Sequence, residues 1–145
     1  MNESAANDPV QVVRSLIGQK FTVSPSPFGR WLSSKVVDAE RGNLALEYVV
    51  REEMTNPMGY LHGGVIAGIV DDVMGSVLIM SGINPKFASL NLHVEYIASA
   101  RLGDLVVARA KLANEGKRII STDCVLSDQQ GTLLARAGSQ IIRLG

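Results

Sequence analysis

The chain reads Asn56-Pro-Met-Gly-Tyr-Leu-His62-Gly63-Gly64 and continues directly into Val65-Ile-Ala-Gly-Ile-Val-Asp-Asp-Val-Met-Gly-Ser-Val-Leu-Ile-Met80. A polar, glycine-rich turn therefore opens onto a helix that is apolar on nearly every side, which is the pattern of a buried helix. Two carboxylates, Asp71 and Asp72, interrupt the apolar run. Because a buried carboxylate costs several kcal/mol, a catalytic or ligand-binding role is one explanation for its presence.

Apolar residues alternate with a period of two on both sides of this helix, which predicts strands. A hairpin is predicted from Arg30–Ala39 and Asn43–Arg51, joined by a turn that contains Gly42. The helix is predicted over roughly 63–81, ending near Gly82. The segment around Ser89–Tyr96 alternates again, and further strands are predicted at about 105–114, 117–128 and 131–143, with tight turns between them.

At the amino-terminal end, residues 9–19 predict a short amphipathic helix with Asp8 as its N-cap and Pro9 in its first turn. The predicted fold class is α+β: an antiparallel sheet of five to six strands around one long central helix, with a short N-terminal helix. The length of 145 residues favours a single domain over 1–145, with residues 1–25 as N-terminal helix and connector.

The composition excludes several classes of function. Fourteen basic and 14 acidic residues give a formal net charge of zero, so nothing favours nucleic acid or an anionic membrane as a partner. The single cysteine, Cys124, excludes an internal disulfide. The first nine residues lack the basic and apolar regions of a signal peptide, and Asp71 and Asp72 weaken the helix as a membrane span. We expect a cytoplasmic protein.

The all-round apolar helix also predicts an oligomer. One sheet covers only one side of a helix, so the remaining apolar surface is expected to meet a second copy. We expect at least a dimer, with the two sheets joined edge to edge or the two helices face to face.

Two motifs make the chain similar to the hotdog-fold acyl-CoA thioesterases, and within them to the phenylacetyl-CoA thioesterase group. In the first, Asn56 precedes His62-Gly63-Gly64 by five intervening residues, and Asp71 follows His62 by nine positions. The second is the strand 88–97, followed by the sequence Ala100-Arg-Leu-Gly-Asp104. The resemblance covers about residues 28–143. It implies hydrolysis of an acyl-CoA thioester without a metal or cofactor, by a dimer of dimers with active sites at the subunit interface.

Elementary chemistry assigns roles to the turn. Thioester hydrolysis develops negative charge on the carbonyl oxygen, and a helix N-terminus offers free N–H groups and a positive dipole end. Gly63 and Gly64 allow close approach to the backbone, and the N–H group of Gly63 is the predicted oxyanion donor. Asn56 would bind or orient the carbonyl or the attacking water. His62 would shape the turn and form a hydrogen bond near the thioester.

Asp71 is the predicted general base or nucleophile, and the sequence leaves both mechanisms open. Nine residues of helix rise roughly 13.5 Å, so Asp71 cannot reach the carbonyl held by its own subunit's turn. It would act on a site whose turn comes from a second subunit across a two-fold axis. The resemblance adds Ser89 as a residue that holds the water or Asp71. The acyl group is predicted along the helix near Val65, Ile69 and Met74, or across the subunit interface.

Met58 and Tyr60 are predicted to line the entrance of the substrate site. Each candidate also has an ordinary structural reading: Asn56 and His62 as turn residues, Asp71 as a helix-surface charge, Gly63 and Gly64 as helix-start glycines. Two rival functions remain, a non-catalytic acyl-CoA-binding or sensing module and a hydratase of the same fold. The sequence does not distinguish between acyl groups, or between CoA and a carrier protein as the thiol.

Overall fold

The computed structural model describes residues 7–145 of the chain. Residues 1–6 lie outside the described residues. They make up most of the N-terminal segment for which the sequence predicts no signal peptide. The first element is helix α1 (Pro9–Arg14), where the Asp8 carboxylate accepts a hydrogen bond from the Val10 N–H at 3.1 Å. The predicted cap is confirmed, although the helix is shorter than predicted. Helix α2 (Pro27–Leu32) follows.

Helix α2 corrects the sequence prediction, which began a strand at Arg30. The Ser26 hydroxyl caps this helix by accepting from the Gly29 N–H at 3.1 Å, and Pro27 supplies the fixed φ of a first helical position. The helix ends at Ser33, which adopts a left-handed conformation with φ of 58°. The strand that had been predicted from Arg30 therefore starts only at Lys35.

One antiparallel sheet accounts for the strands. The strands are β1 (Lys35–Glu40), β2 (Asn43–Val49), β3 (Phe87–Ser89), β4 (His93–Tyr96), β5 (Leu105–Glu115), β6 (Ile119–Asp128) and β7 (Leu133–Arg143). Their order in the sheet is β1-β2-β5-β6-β7-β3, with β4 also paired to β7. The predicted hairpins are confirmed, and the turn glycines Gly42 and Gly131 have φ of 79° and 83°.

The sheet has seven strands rather than five to six because its edge strand is split at Asn91. The Asn91 side-chain oxygen accepts from the Gln140 N–H at 2.9 Å, while the Ser139 hydroxyl donates to the Asn91 carbonyl at 2.8 Å. Between the end of β3 and the start of β4, side-chain hydrogen bonds thus replace backbone bonds to β7. The result is an interrupted edge strand along β7.

Helix α3 (Gly63–Met80) lies against the middle of this sheet and supplies much of the core. Its buried residues are Ile66, Ile69, Val70, Val73, Met74, Ser76, Val77, Leu78 and Met80. By length and composition alone α3 is apolar enough to cross a membrane, a test that core helices also pass, and half of it is buried within the fold. The 3₁₀ turn Glu52–Met54 and the turn after it connect β2 to the start of α3.

Candidate active site

The turn before α3 is held in shape by the side chain of Asn56. Its Oδ1 atom accepts hydrogen bonds from the N–H groups of Met58 at 3.0 Å and Tyr60 at 3.1 Å. Such local bonds are the usual way in which Asn organises a tight turn. With the oxygen committed to the turn, Asn56 can offer a ligand its amide NH₂ group, which is a donor suited to a carbonyl oxygen.

His62 caps α3, and this separates the roles of the two glycines. Its Nδ1 atom accepts a hydrogen bond from the Gly64 N–H at 2.8 Å, so the amide of Gly64 is already used. Gly64 therefore contributes no free donor, and its missing side chain makes room for the His62 ring, since a Cβ atom there would lie 3.1 Å from Nδ1. The Gly63 N–H belongs to the first helical turn, where amides have no intrahelical acceptor. Of the pair, Gly63 carries the amide that can face a developing oxyanion.

Tyr96 completes this end of the helix, and the sequence analysis did not assign it. Its hydroxyl donates to the Gly63 carbonyl at 2.8 Å. A Cβ atom at Gly63 would lie 3.4 Å from the Tyr96 ring. Strand β4 therefore fixes the first turn of α3 from the side. A tyrosine ending the strand after the helix was the only sequence signal for this contact.

The remaining turn residues differ in exposure. Met58 is 77% exposed, so it is available to a ligand. Tyr60 is half-buried and lies beneath Arg101, whose guanidinium carbon is 4.9 Å from the ring centroid and whose Nη2 atom donates to the Tyr60 hydroxyl at 3.1 Å. The stack places a permanent positive charge at the outer side of the turn.

Asp71 lies two turns further along α3 with an exposed side chain. Partial burial raises the pKa of this carboxyl group, and a hydrogen bond with the Ser89 hydroxyl opposes that rise. The predicted pair of Asp71 and Ser89 is thus brought together within one subunit, from α3 and the end of β3. A carboxylate held by a hydroxyl group can bind and activate a water molecule.

The two groups of residues form separate half-sites in one subunit. From Gly63 to Asp71 the helix rises roughly 12 Å, which no aspartate side chain spans. We call Asn56, His62 and Gly63 the turn half-site, and Asp71 with Ser89 the carboxylate half-site. A single thioester can meet both only if two copies of the chain contribute.

Two of the three residues predicted to line the acyl site are closed off. Ile69 is fully buried and Met74 is 1% exposed, and both pack in the subunit's own core. The prediction for this pair is wrong because both side chains are packed into the core cluster of the subunit and leave no surface for a ligand. Val65 is only partly buried and stays accessible at the edge of the core.

Other chemistries find little support in the described part of the chain. Burial raises the pKa of the Cys124 thiol to about 12, so this cysteine is not a ready nucleophile. Among residues 7–145, no group of three or more His, Cys, Asp or Glu side chains is arranged to hold a metal ion.

A sheet wrapped around one long helix, with a capped glycine turn at the helix start and a carboxylate in its middle, defines the class of hotdog-fold thioesterases. Comparison with known proteins agrees with this class. Residues 58–135, more than half of the chain, match the family described as the thioesterase superfamily. The chain belongs to this family.

Individual relatives point the same way. The Homo sapiens protein named acyl-coenzyme A thioesterase 13 is 30% identical over 110 residues, which cover 76% of this chain and 79% of the relative. The crystal structure of zebra fish thioesterase superfamily member 2 has a TM-score of 0.75 and 28% identity, covering 94% of this chain and 95% of its own. The E. coli PaaI protein from the phenylacetic acid degradation operon has a TM-score of 0.75 at 18% identity, covering 80% and 87%.

Proposed function

We propose that this protein is an acyl-CoA thioesterase that hydrolyses its substrate to a free acid and CoA at sites shared between two subunits. Membership of the thioesterase superfamily supports thioester hydrolysis, and the name of the human relative supports CoA as the thiol. The observation that carries the proposal is the pair of half-sites on one helix. Each has half of the chemistry that thioester hydrolysis needs.

In this proposal the turn half-site binds the thioester carbonyl. The Gly63 N–H donates to the oxygen as it becomes negative, and the positive end of the α3 dipole adds to the stabilisation. A donor of this kind is worth about 2.7–4 kcal/mol in the transition state. The amide of Asn56 would donate to the same oxygen or orient the attacking water, while the His62 ring keeps the helix start in place.

The partner's carboxylate half-site then supplies the attack. Asp71 acts as a general base on water, or as a nucleophile that forms an anhydride, and Ser89 orients the carboxylate or the water. Arg101 lies at the outer side of the turn, where its charge suits a phosphate of CoA. The pantetheine arm would pass between the subunits, near Met58. Two further predictions fit this chemistry: the protein is cytoplasmic, and the reaction needs no cofactor.

The proposal is tested by measuring thiol release from a panel of acyl-CoAs. We expect Asp71→Asn to lose several hundredfold or more in kcat, in line with the 10²–10⁴-fold typical of a general base, while acyl-CoA still binds. Asp72→Asn is the matched control. The Asp72 carboxylate is adjacent in sequence but faces α2, so we expect this variant to retain activity within a few fold.

Two results would contradict this assignment. Equal activity of Asp71→Asn and the wild type would exclude Asp71 from the chemistry. No thiol release from any member of the panel, with saturable binding to the wild type and to Asp71→Asn alike, would replace the enzyme with an acyl-CoA-binding module.

A further inference from the structure

The face of α3 that carries Asp71 has few accessible apolar side chains of its own. Its neighbours at helical spacing are Gly64, Ala67, Gly68, Met74, Gly75 and Leu78. The two large ones, Met74 and Leu78, are buried in the subunit's own core. An acyl group placed beside Asp71 must therefore find its apolar contact on a different element.

Phe28 of α2 is the large apolar side chain beside this face. A Cβ atom added to Gly68 would lie 2.7 Å from the Phe28 Cζ atom and 3.0 Å from Cε1, so the ring rests directly on the glycine. Gly68 and Asp71 are three residues apart, and such positions lie about 5–6 Å from each other on one helix surface. Phe28 is nevertheless 46% exposed, which leaves much of its ring free.

Trp31 and Arg51 pack behind the Phe28 ring. Trp31 stacks on it with centroids 5.9 Å apart and an interplanar angle of 21°. The Arg51 guanidinium carbon lies 5.0 Å from the Trp31 ring centroid, and Arg51 donates to the carbonyls of Trp31 at 2.6 Å and Leu32 at 3.0 Å. A stacked aromatic pair that is already ordered loses little conformational entropy when a ligand packs on it.

We infer that Phe28, supported by Trp31, is a specificity-determining residue: it forms the wall against which the apolar body of the acyl group packs, in the subunit that supplies Asp71. Gly68 lacks a side chain because the ring occupies that space. The wall rests on Gly68, three residues before Asp71 on the same helix surface. It therefore favours acyl groups with several carbons or a ring, while the methyl group of acetyl is too short to reach it. This inference rests on the proposed function.

The test compares kcat/KM for acetyl-, hexanoyl- and phenylacetyl-CoA. For Phe28→Ala we expect the preference for the larger substrates over acetyl-CoA to fall roughly 10- to 100-fold, the usual effect of removing apolar pocket contacts. Phe28→Leu keeps an apolar side chain and should give a smaller fall, which guards against misfolding of the alanine variant. Leu144→Ala, a 63% exposed residue near the C-terminus, is the control and should keep the preference.

Three outcomes would overturn the inference or separate it from the proposed function. An unchanged preference in both Phe28 variants, with an active wild type, overturns the inference alone. A change of oligomeric state in Phe28→Ala, seen by size-exclusion chromatography, overturns it in favour of a subunit contact. If the wild type hydrolyses nothing, the proposed function fails, and the dissociation constants of hexanoyl- and acetyl-CoA for each variant then decide whether Phe28 is still a binding wall.

Discussion

At the scale of single residues, Asp71 and Asp72 have different surroundings although they are adjacent in the sequence. Asp71 is exposed and close to the Ser89 hydroxyl, whereas Asp72 turns toward α2 and the buried Tyr48. Burial, followed by the charge of Asp71, raises the pKa of Asp72 from 3.8 to about 6, and a hydrogen bond with Ser26 opposes the rise. Neighbouring positions on a helix point about 100° apart. Asp71 can therefore face the candidate site while Asp72 packs against α2.

We predict that Asp72→Asn makes the protein more stable at neutral and alkaline pH. Because the folded-state pKa is raised, the folded protein holds this proton more tightly than the unfolded chain does. The resulting stability is present below about pH 4 and is lost as the pH rises through 6, by about 3 kcal/mol in total. Urea unfolding at pH 4, 6 and 8 should show a smaller decline with rising pH for Asp72→Asn than for the wild type.

Asp71→Asn is the comparison variant: its carboxyl group is less buried than that of Asp72, but its removal also takes away the charge that adds to the rise in the pKa of Asp72, so the decline should flatten less than in Asp72→Asn. The same pH dependence of the unfolding free energy in Asp72→Asn and the wild type would contradict the raised pKa of Asp72.

At the scale of elements, helix α2 depends on a glycine that faces the core helix. A Cβ atom at Gly29 would lie 2.8 Å from an Asp72 carboxylate oxygen, 2.8 Å from the Ser24 hydroxyl and 3.0 Å from the other carboxylate oxygen. Glycine at this position lets α2 approach α3 closely enough to set Phe28 against Gly68. The two helices therefore approach each other closely because both carry a glycine at the contact, Gly29 in α2 and Gly68 in α3.

We predict that Gly29→Ala destabilises the fold by about 1–3 kcal/mol, the usual cost of an inserted methyl group in a packed contact. The clash is mainly with Asp72, so the same substitution in an Asp72→Ala background should cost less. Thermal or urea unfolding of the two single variants and the double variant gives this coupling directly. Additive effects would mean that the carboxylate moves aside freely.

The elements also show where sequence reasoning succeeds. The hairpins, the cap at Asp8 and the span of α3 were predictable because local rules of periodicity and turn chemistry determine them. Helix α2 was missed because the Ser-Pro pairs before it are typical of turns as well as of helix starts, and six residues give too little periodicity to decide. The candidate residues of both half-sites were named from the sequence, Ser89 through the family resemblance, and their catalytic roles stay predictions. The contacts of Phe28 and Tyr96 depend on segments distant in sequence.

At the scale of the whole molecule, the split edge strand offers a surface for pairing with a second copy. The segment from β3 to β4 forms one edge of the sheet. Phe87 and Val94 pack against the core, but four large apolar residues in this segment and just after it are exposed. They are Leu90, Leu92, Tyr96 and Ile97, with exposed fractions of 54%, 37%, 57% and 49%. An unpaired edge with such residues is a template for another strand. Ser89 and Tyr96 lie on the same edge, so a two-fold axis there would bring half-sites of two subunits toward each other.

The shared site predicts that two inactive variants restore activity when they form one dimer. Asn56→Ala damages only the turn half-site, and Asp71→Asn damages only the carboxylate half-site. In a mixed dimer one site combines the two damaged halves, while the other combines the two intact halves. Random reassociation gives mixed dimers in half of the population, so about a quarter of wild-type activity should return.

The experiment requires the two variants to be unfolded together and refolded at equal concentration, with thiol release as the readout. Each variant refolded alone is the control for recovery of its own residual activity. A mixture that is no more active than the mean of the two variants would place both half-sites of a working site in one subunit. That result would require α3 to bend or break between Gly63 and Asp71, because a regular helix keeps them roughly 12 Å apart.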